Sequence, residues 1–264
     1  MTAPTLILLG HGGGDPRVVQ ISQTLRAGLA ELRPELDIQV AFIDNPPTAL
    51  KVINKLTARG TSEIVLTPLS IADAFSSGAE LNEMLTAIRA VHPGLQVVAS
   101  QPIGPEQRLL AVVDRQLRTA LRSRQVAELD GLVFLSESGS DSRSQALVAR
   151  RARLWAGHHR LPSVTAFGGD HGPSAAEAVR ALHQQGRRHV AVGSWYLSPS
   201  AEYREQAALA YHSGAVAVSE PLGAEPELLQ EIISRYSVSA MDLVDLEPIL
   251  EDQRQPPRLS VVGA

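Results

Sequence analysis

The sequence of 264 residues contains two halves that align with each other in the same order. The segment LILLGHGGGDPR at 6–17 aligns with LVFLSESGSDSR at 132–143. A longer segment, PTALKVINKLTARGTSEIVLTPLS at 47–70, aligns with PSAAEAVRALHQQGRRHVAVGSWY at 173–196. Two shorter pairs, AF at 41–42 with 166–167 and QPIG at 101–104 with EPLG at 220–223, keep the same order. Such collinear self-similarity predicts two lobes that share one fold.

Each half alternates short aliphatic runs with longer amphipathic stretches. Continuous apolar strands separated by helices are typical of βαβ units, which form parallel sheets covered on both faces. The predicted strands are 5–9, 37–42, 63–68, 96–100, 131–135, 163–167, 189–195 and 215–219. The predicted helices are 17–32, 47–59, 77–91, 105–125, 143–157, 174–185, 201–212 and 225–236. We therefore expect an α/β protein of two similar, doubly wound parallel-sheet lobes with a cleft between them.

The repeat also divides the chain into predicted segments. The N-terminal lobe is expected at 1–127 and the C-terminal lobe at 128–236. The remainder, 237–264, is acidic and then proline-rich, and it matches nothing in the first half. We expect this tail to dock loosely or to be disordered.

Composition excludes several kinds of function. The absence of cysteine rules out disulfides, thiolate metal ligands and a cysteine nucleophile. A net charge of -4 and a pI near 6.1 give no general attraction to nucleic acid or to an anionic membrane. The sequence shows neither a signal peptide nor an apolar run long enough to span a membrane. A soluble cytoplasmic protein that binds no nucleic acid and no membrane is the expectation.

The motif with the clearest chemical potential is the glycine-rich turn GHGGGD at 10–15, which follows the first predicted strand. Ligands of parallel sheets bind outside the carboxyl ends of the strands, and glycines let backbone N–H groups approach a ligand closely. The turn is neither a dinucleotide fingerprint nor a phosphate-binding loop. It lacks the G-x-G-x-x-G and G-K-S/T spacings, and no acidic residue directly follows the second strand. By itself it is either a ligand site with a chemically active His11 or a plain strand-to-helix turn.

The motifs together resemble a known family. The order GHG with D-x-R, then AF, then P-x-x-A-L and I-V-x-P-L, in duplicate, is similar to the sirohydrochlorin chelatases. The resemblance covers about residues 5–236. It implies a lyase-class chelatase that inserts Fe2+ or Co2+ into a tetrapyrrole during siroheme or cobalamin synthesis. It implies a divalent metal as substrate, no organic cofactor, a tetrapyrrole as the small-molecule partner, and a monomer or homodimer.

The resemblance also assigns candidate site residues in the first lobe. His11 takes the place of the family's first histidine, which serves as metal ligand and proton acceptor. Ser76 stands where a second histidine is expected, and the acid four residues later is retained as Glu80, a further candidate for catalysis and metal binding. The residues expected to contact the tetrapyrrole are Gly12, Gly13, Gly14, Ser70 and Ser76.

In the second lobe, the repeat aligns Glu137 with His11 and Glu202 with Ser76. These carboxylates are either metal ligands or proton acceptors at the cleft, or ordinary surface glutamates. His171 follows a strand end and could line the cleft or be an ordinary loop residue. The pair Trp195-Tyr196 could form a wall of a macrocycle pocket or belong to the core.

Two other functions remain open. The loss of the second histidine at Ser76 favours a non-catalytic homologue that binds a tetrapyrrole or a metal. A two-lobed periplasmic-type binder of small molecules is the third possibility, and the missing signal peptide argues against it.

Overall fold

The computed structural model describes residues 3–72, 79–137, 142–169 and 172–245. Strands and helices alternate through these ranges, close to their predicted positions. The strands are β1 (Thr5–Gly10), β2 (Ile38–Phe42), β3 (Glu63–Pro68), β4 (Gln96–Ala99), β5 (Gly131–Ser136), β6 (Ser163–Phe167), β7 (Val190–Trp195) and β8 (Ala217–Val218). The helices are α1 (Pro16–Leu32), α2 (Ala49–Thr57), α3 (Ala79–Val91), α4 (Leu110–Ser123), α5 (Ser142–His159), α6 (Ala175–Gln184), α7 (Ala201–His212) and α8 (Pro226–Asp245). A short 3-10 helix, Gln107–Leu109, precedes α4.

The described strands form two four-stranded parallel sheets with equivalent topology. The strand order is β2-β1-β3-β4 in the first sheet and β6-β5-β7-β8 in the second. This confirms the predicted pair of doubly wound lobes. In each sheet the second strand lies on one side of the first strand, and the third and fourth strands lie on the other side. The strand order therefore switches between β1 and β3 in the first lobe and between β5 and β7 in the second. The loops after β1, β3, β5 and β7 therefore lie at the points where such sheets bind ligands.

The last helix of each half packs against the sheet of the other half. Helix α4 contacts β7 and β8, whereas α8 contacts β3 and β4. A single cluster of buried apolar residues accordingly runs through both lobes, from Leu6 in β1 to Phe134 in β5. The lobes are joined by a shared core, because each contributes a helix to the other.

Trp195 lies at the centre of the junction between the lobes. Its side chain is fully buried, and its indole Nε1–H donates a hydrogen bond of 2.9 Å to the backbone carbonyl of Ile71. Its ring also lies 5.4 Å, between centroids, from the ring of Phe134. Trp195 therefore ties a loop of the first lobe to the central strands of the second.

Ion pairs link α4 to the start of α8. Arg115 of α4 pairs with Glu225 at 2.8 Å and with Glu227 of α8 at 2.9 Å. Within α8, the buried carboxylate of Glu231 pairs with Arg235 one turn later at 2.8 Å. The two pairs of Arg115 hold the start of α8 near α4, although such partly exposed pairs contribute modestly to stability.

Helix α8 extends further than the sequence predicts. The prediction ended it at Tyr236, but the helix continues to Asp245. The reason is tertiary: Ile232, Tyr236 and Leu243 are all buried on one face against the first lobe, in the common core cluster. Part of the segment predicted as a loosely held tail is therefore core helix. No helix in the described part of the chain is long and apolar enough to cross a membrane.

Replacing Leu243 with alanine should destabilise the protein by about 2–4 kcal/mol, because it leaves a cavity where the side chain is now 1% exposed. Urea unfolding followed by circular dichroism measures this change. Met241, two residues earlier and 68% exposed, provides the matched control, and Met241→Ala should shift stability by less than about 0.5 kcal/mol. Equal effects of the two substitutions would show that the end of α8 does not dock on the core.

Candidate functional site

A cleft of about 320 Å³ lies between the lobes at the carboxyl ends of their strands. The loops after β1, β3, β5 and β7 all contribute to it, together with α1 and the first turn of α7. The lining residues are Gly10, His11, Gly12, Val18, Ile21, Ser22, Leu69, Ser70, Glu137, Leu197, Ser198, Ser200 and Glu202. The predicted interlobe cleft is therefore present, and it joins equivalent loops of the two repeats.

The glycine-rich turn presents His11 at the edge of this cleft. Gly12 adopts a positive φ of 76°, which a residue with a side chain rarely does. A Cβ on Gly13 would lie 2.6 Å from Cγ of Phe42, so only glycine fits there. The His11 side chain is exposed, and no hydrogen-bond partner for it occurs among the described residues. Its imidazole is therefore accessible to a ligand.

Asp44 holds the glycine-rich turn in place, and the sequence interpretation missed this residue. Its carboxylate accepts hydrogen bonds from Gly12 N at 3.0 Å and from Gly13 N at 3.5 Å. Burial by itself would raise the pKa of Asp44, but these N–H donors outweigh it and lower the pKa. The expectation that no acid follows the second strand overlooked this position, which lies two residues beyond β2. Two N–H groups predicted to contact substrate thus already have an acceptor within the protein.

Asp15 connects the two walls of the cleft. Its carboxylate caps α1 by accepting from Arg17 N at 2.9 Å, and it also accepts from Ala201 N of α7 at 2.9 Å. The hydrogen bond from Arg17 is the largest influence, and with that from Ala201 it lowers the pKa of Asp15 against the effect of burial. One carboxylate thereby accepts a hydrogen bond from the first turn of a helix in each lobe and links the two lobes at the cleft.

The second lobe contributes an acidic wall. Glu137 follows β5, and Glu202 lies in the first turn of α7; both line the cleft to which His11 also contributes. Burial raises the pKa of Glu202, and the charge of Glu205 adds to the effect. The described lining contains these two carboxylates and no lysine or arginine. The electrostatics of the cleft therefore favour a cation over an anion.

Glu202→Gln should raise the melting temperature at pH 8 but not at pH 4. A carboxyl whose pKa is raised by folding favours the protonated form, so ionisation destabilises the folded state as pH rises through that pKa. Glutamine removes this penalty, whereas at pH 4 the glutamate is largely protonated in both states. Thermal unfolding at the two pH values measures the difference. The exposed Glu83 of α3 is the control; the same response from Glu83→Gln would exclude burial of Glu202 as the cause.

The remaining predicted site residues differ in whether they line the cleft and in whether the structure describes them. Ser70 and Gly12 contribute to the lining, whereas Gly13 and Gly14 do not. Glu80 lies at the start of α3, and its side chain is not described. Ser76 and His171 fall outside the described residues. The roles assigned to all of these residues stay predictions.

Trp195 and Tyr196 are core residues, with 0% and 1% exposure, and neither contributes to the lining. The alternative that placed them in the wall of a macrocycle pocket is wrong. Trp195 is the last residue of β7 and packs in the core shared by the two lobes, whereas Tyr196 follows the strand and packs in a second core cluster. Within the described ranges, no three His, Asp or Glu side chains are close enough to hold a metal ion.

The chain is similar to known sirohydrochlorin chelatases. Residues 5–120, which span the N-terminal lobe, match the family model described as CbiX. A curated relative, the sirohydrochlorin cobaltochelatase of Priestia megaterium, is 20% identical over 200 residues, covering 73% of this chain and 64% of the relative. The first half of the chain therefore matches the CbiX family, and the chain is similar to a sirohydrochlorin cobaltochelatase. The matched region spans just under two thirds of the length of that curated relative.

Solved structures show that both lobes share the chelatase fold. SirB from Bacillus subtilis with Fe3+ superimposes with a TM-score of 0.73 at 16% identity, over 90% of this chain and 96% of that one. SirB from Bacillus subtilis subspecies spizizenii in complex with cobalt gives a TM-score of 0.71 at 15% identity, over 91% and 96%. DR2241 from Deinococcus radiodurans gives a TM-score of 0.59 at 14% identity, over 90% of this chain and 55% of DR2241. The fold match thus extends beyond the lobe that the family model covers.

Proposed function

We propose that the chain inserts a divalent metal ion, Fe2+ or Co2+, into sirohydrochlorin or a related tetrapyrrole of siroheme or cobalamin synthesis. The observation that carries this proposal is one cleft lined by His11 of the first lobe and by Glu137 and Glu202 of the second. Similarity to the CbiX family model and to a sirohydrochlorin cobaltochelatase supports the reaction class, and the cleft contains groups that suit it.

Metal insertion requires that the ion be held weakly, so that the macrocycle can replace the protein ligands. His11 has an exposed imidazole without a described partner, and imidazole binds Fe2+ and Co2+. No tight cluster of His, Asp and Glu side chains surrounds it in the described part of the chain. A weak, open site of this kind suits an ion that is a substrate and must leave.

Two N–H protons must leave the macrocycle as the metal enters. An imidazole can accept a proton near neutral pH, and a carboxylate of raised pKa can do the same. His11 and Glu202 lie in opposite lobes and line the same cleft, so each could serve one face of the ring. We propose that His11 accepts the first proton and that a carboxylate of the second lobe, Glu137 or Glu202, accepts the second.

The macrocycle would enter the cleft only in part. At about 320 Å³ the cleft is at the lower end of the range for small-molecule sites. Its described lining has no lysine or arginine to pair with substrate carboxylates, which would therefore remain in solvent. The metal-binding centre of the ring would then lie near the carboxylates of the protein.

The deciding experiment follows the absorption of sirohydrochlorin during anaerobic incubation with Co2+ or Fe2+, with and without the purified protein. The proposal expects the protein to accelerate conversion to the metallated band. Equal rates with and without protein would overturn it.

A non-catalytic homologue is the alternative, and Ser76 in place of the family's second histidine favours it. This alternative predicts that the protein shifts the absorption band of the tetrapyrrole on binding but does not change the rate of metal insertion. The same absorption assay, with and without metal, therefore distinguishes the two functions.

A further inference from the structure

The hydroxyl of Tyr196 is an unexplained polar group beside the cleft. Tyr196 is 1% exposed, and its oxygen has no hydrogen-bond partner among the described residues. A buried hydroxyl without a partner is costly, and phenylalanine would fill the same space without that cost. The presence of tyrosine at this position therefore calls for a partner that the resting structure does not supply.

The carboxylate of Glu202 lies next to this hydroxyl. A Cβ on Gly168 would come within 1.9 Å of Glu202 Oε1 and within 2.3 Å of Tyr196 Oη, so both oxygens converge on the same point. Only glycine at 168 leaves room for the two groups together. Glu202 is half-buried and has no hydrogen-bond partner among the described residues either.

These two unpaired groups are chemically complementary. A phenol O–H donates, and a carboxylate accepts. Electrostatics agree, since burial and then the nearby charges of Glu202 and Glu137 raise the pKa of Tyr196, which keeps its proton for donation. The other acidic group facing Glu202 is Glu205, which repels it.

We propose that Tyr196 is a positioning residue, whose hydroxyl donates a hydrogen bond that holds the Glu202 carboxylate toward a divalent metal ion in the cleft. The inference rests on the proposed function, because it takes the metal to be the ligand of this cleft. It explains why a hydroxyl is kept in the core at the end of β7 and why Gly168 faces it.

Binding of Co2+ alone, measured by calorimetry or by its visible absorption, tests the proposal. Tyr196→Phe should weaken Co2+ binding by roughly tenfold, since it removes a hydrogen bond to a charged group. It should leave the melting temperature unchanged or raise it, because the hydroxyl has no described partner in the resting structure. A merely structural tyrosine would lower the melting temperature and leave Co2+ binding unchanged.

Tyr203 offers a matched control. Its ring lies 5.7 Å from that of Tyr196, but its hydroxyl donates to the backbone carbonyl of Ser219 at 2.8 Å. Tyr203→Phe should therefore lower the melting temperature and leave Co2+ affinity at the wild-type value. The double variant Tyr196→Phe/Glu202→Gln should bind Co2+ no more weakly than Glu202→Gln, because both changes remove one interaction.

Three results would overturn the proposal: wild-type affinity in Tyr196→Phe, additive losses in the double variant, or no Co2+ binding by the wild-type protein. Failure of the proposed function has a different signature. In that case the affinities would follow the expected pattern, but the wild-type protein would not accelerate metal insertion into sirohydrochlorin.

Discussion

His11→Ala should slow metal insertion into sirohydrochlorin by about a hundredfold or more, toward the uncatalysed rate. The imidazole is the accessible histidine of the cleft lining, and general acid–base catalysis by such a group contributes on the order of 100-fold or above. Loss of a metal ligand would add to the effect. Initial rates of metallation at saturating Co2+ and sirohydrochlorin measure it.

The same substitution should not change stability appreciably, because the His11 side chain is exposed and the turn is fixed by glycines and by Asp44. His212, an exposed histidine at the end of α7, is the control, and His212→Ala should retain the wild-type rate. Full activity in His11→Ala would remove His11 from the mechanism. An equal loss in both variants would indicate a general effect of removing histidines.

Trp195→Ala should destabilise the protein by about 3–5 kcal/mol, because it empties the fully buried junction of the two lobes. For a chain of this size the melting temperature should fall by roughly 10 °C. Differential scanning calorimetry measures the change. The effect is large because the side chain fills the shared core and also satisfies the carbonyl of Ile71.

Trp195→Phe separates the two contributions. It keeps an aromatic ring near Phe134 but leaves the buried Ile71 carbonyl without its donor, which costs about 1–3 kcal/mol. A loss in Trp195→Phe as large as in Trp195→Ala would assign the whole effect to the hydrogen bond. No loss in either variant would contradict a shared core between the lobes.

Most of the secondary structure could be predicted from local pattern. The strands at 63–68 and 163–167 and the helix at 201–212 have the predicted bounds, because aliphatic runs and amphipathic periods are local properties of the chain. The end of α8 could not be predicted in this way. Its last turns depend on the burial of Leu243 against the other lobe, a contact between residues far apart in sequence.

The candidate site was predictable to a similar extent. Repeat alignment and strand ends indicated His11, Glu137 and Glu202, and all three line one cleft. Motif spacing did not reveal Asp44, and it pointed to Tyr196 without showing that its hydroxyl lies beside Glu202. Asp44 matters because the turn at Gly12 folds back onto it, and Tyr196 matters because Gly168 leaves room for Glu202 beside it.

The sequence by itself determined the duplicated α/β architecture, because strand and helix periodicity and glycine turns are encoded within each repeat. Tertiary structure alone decided how the repeats combine. Helices α4 and α8 cross to the opposite sheets, so equivalent loops from the two lobes meet at one cleft. The physical reason is burial: each sheet covers its apolar face with a helix from the other half, and no local sequence pattern specifies that partner.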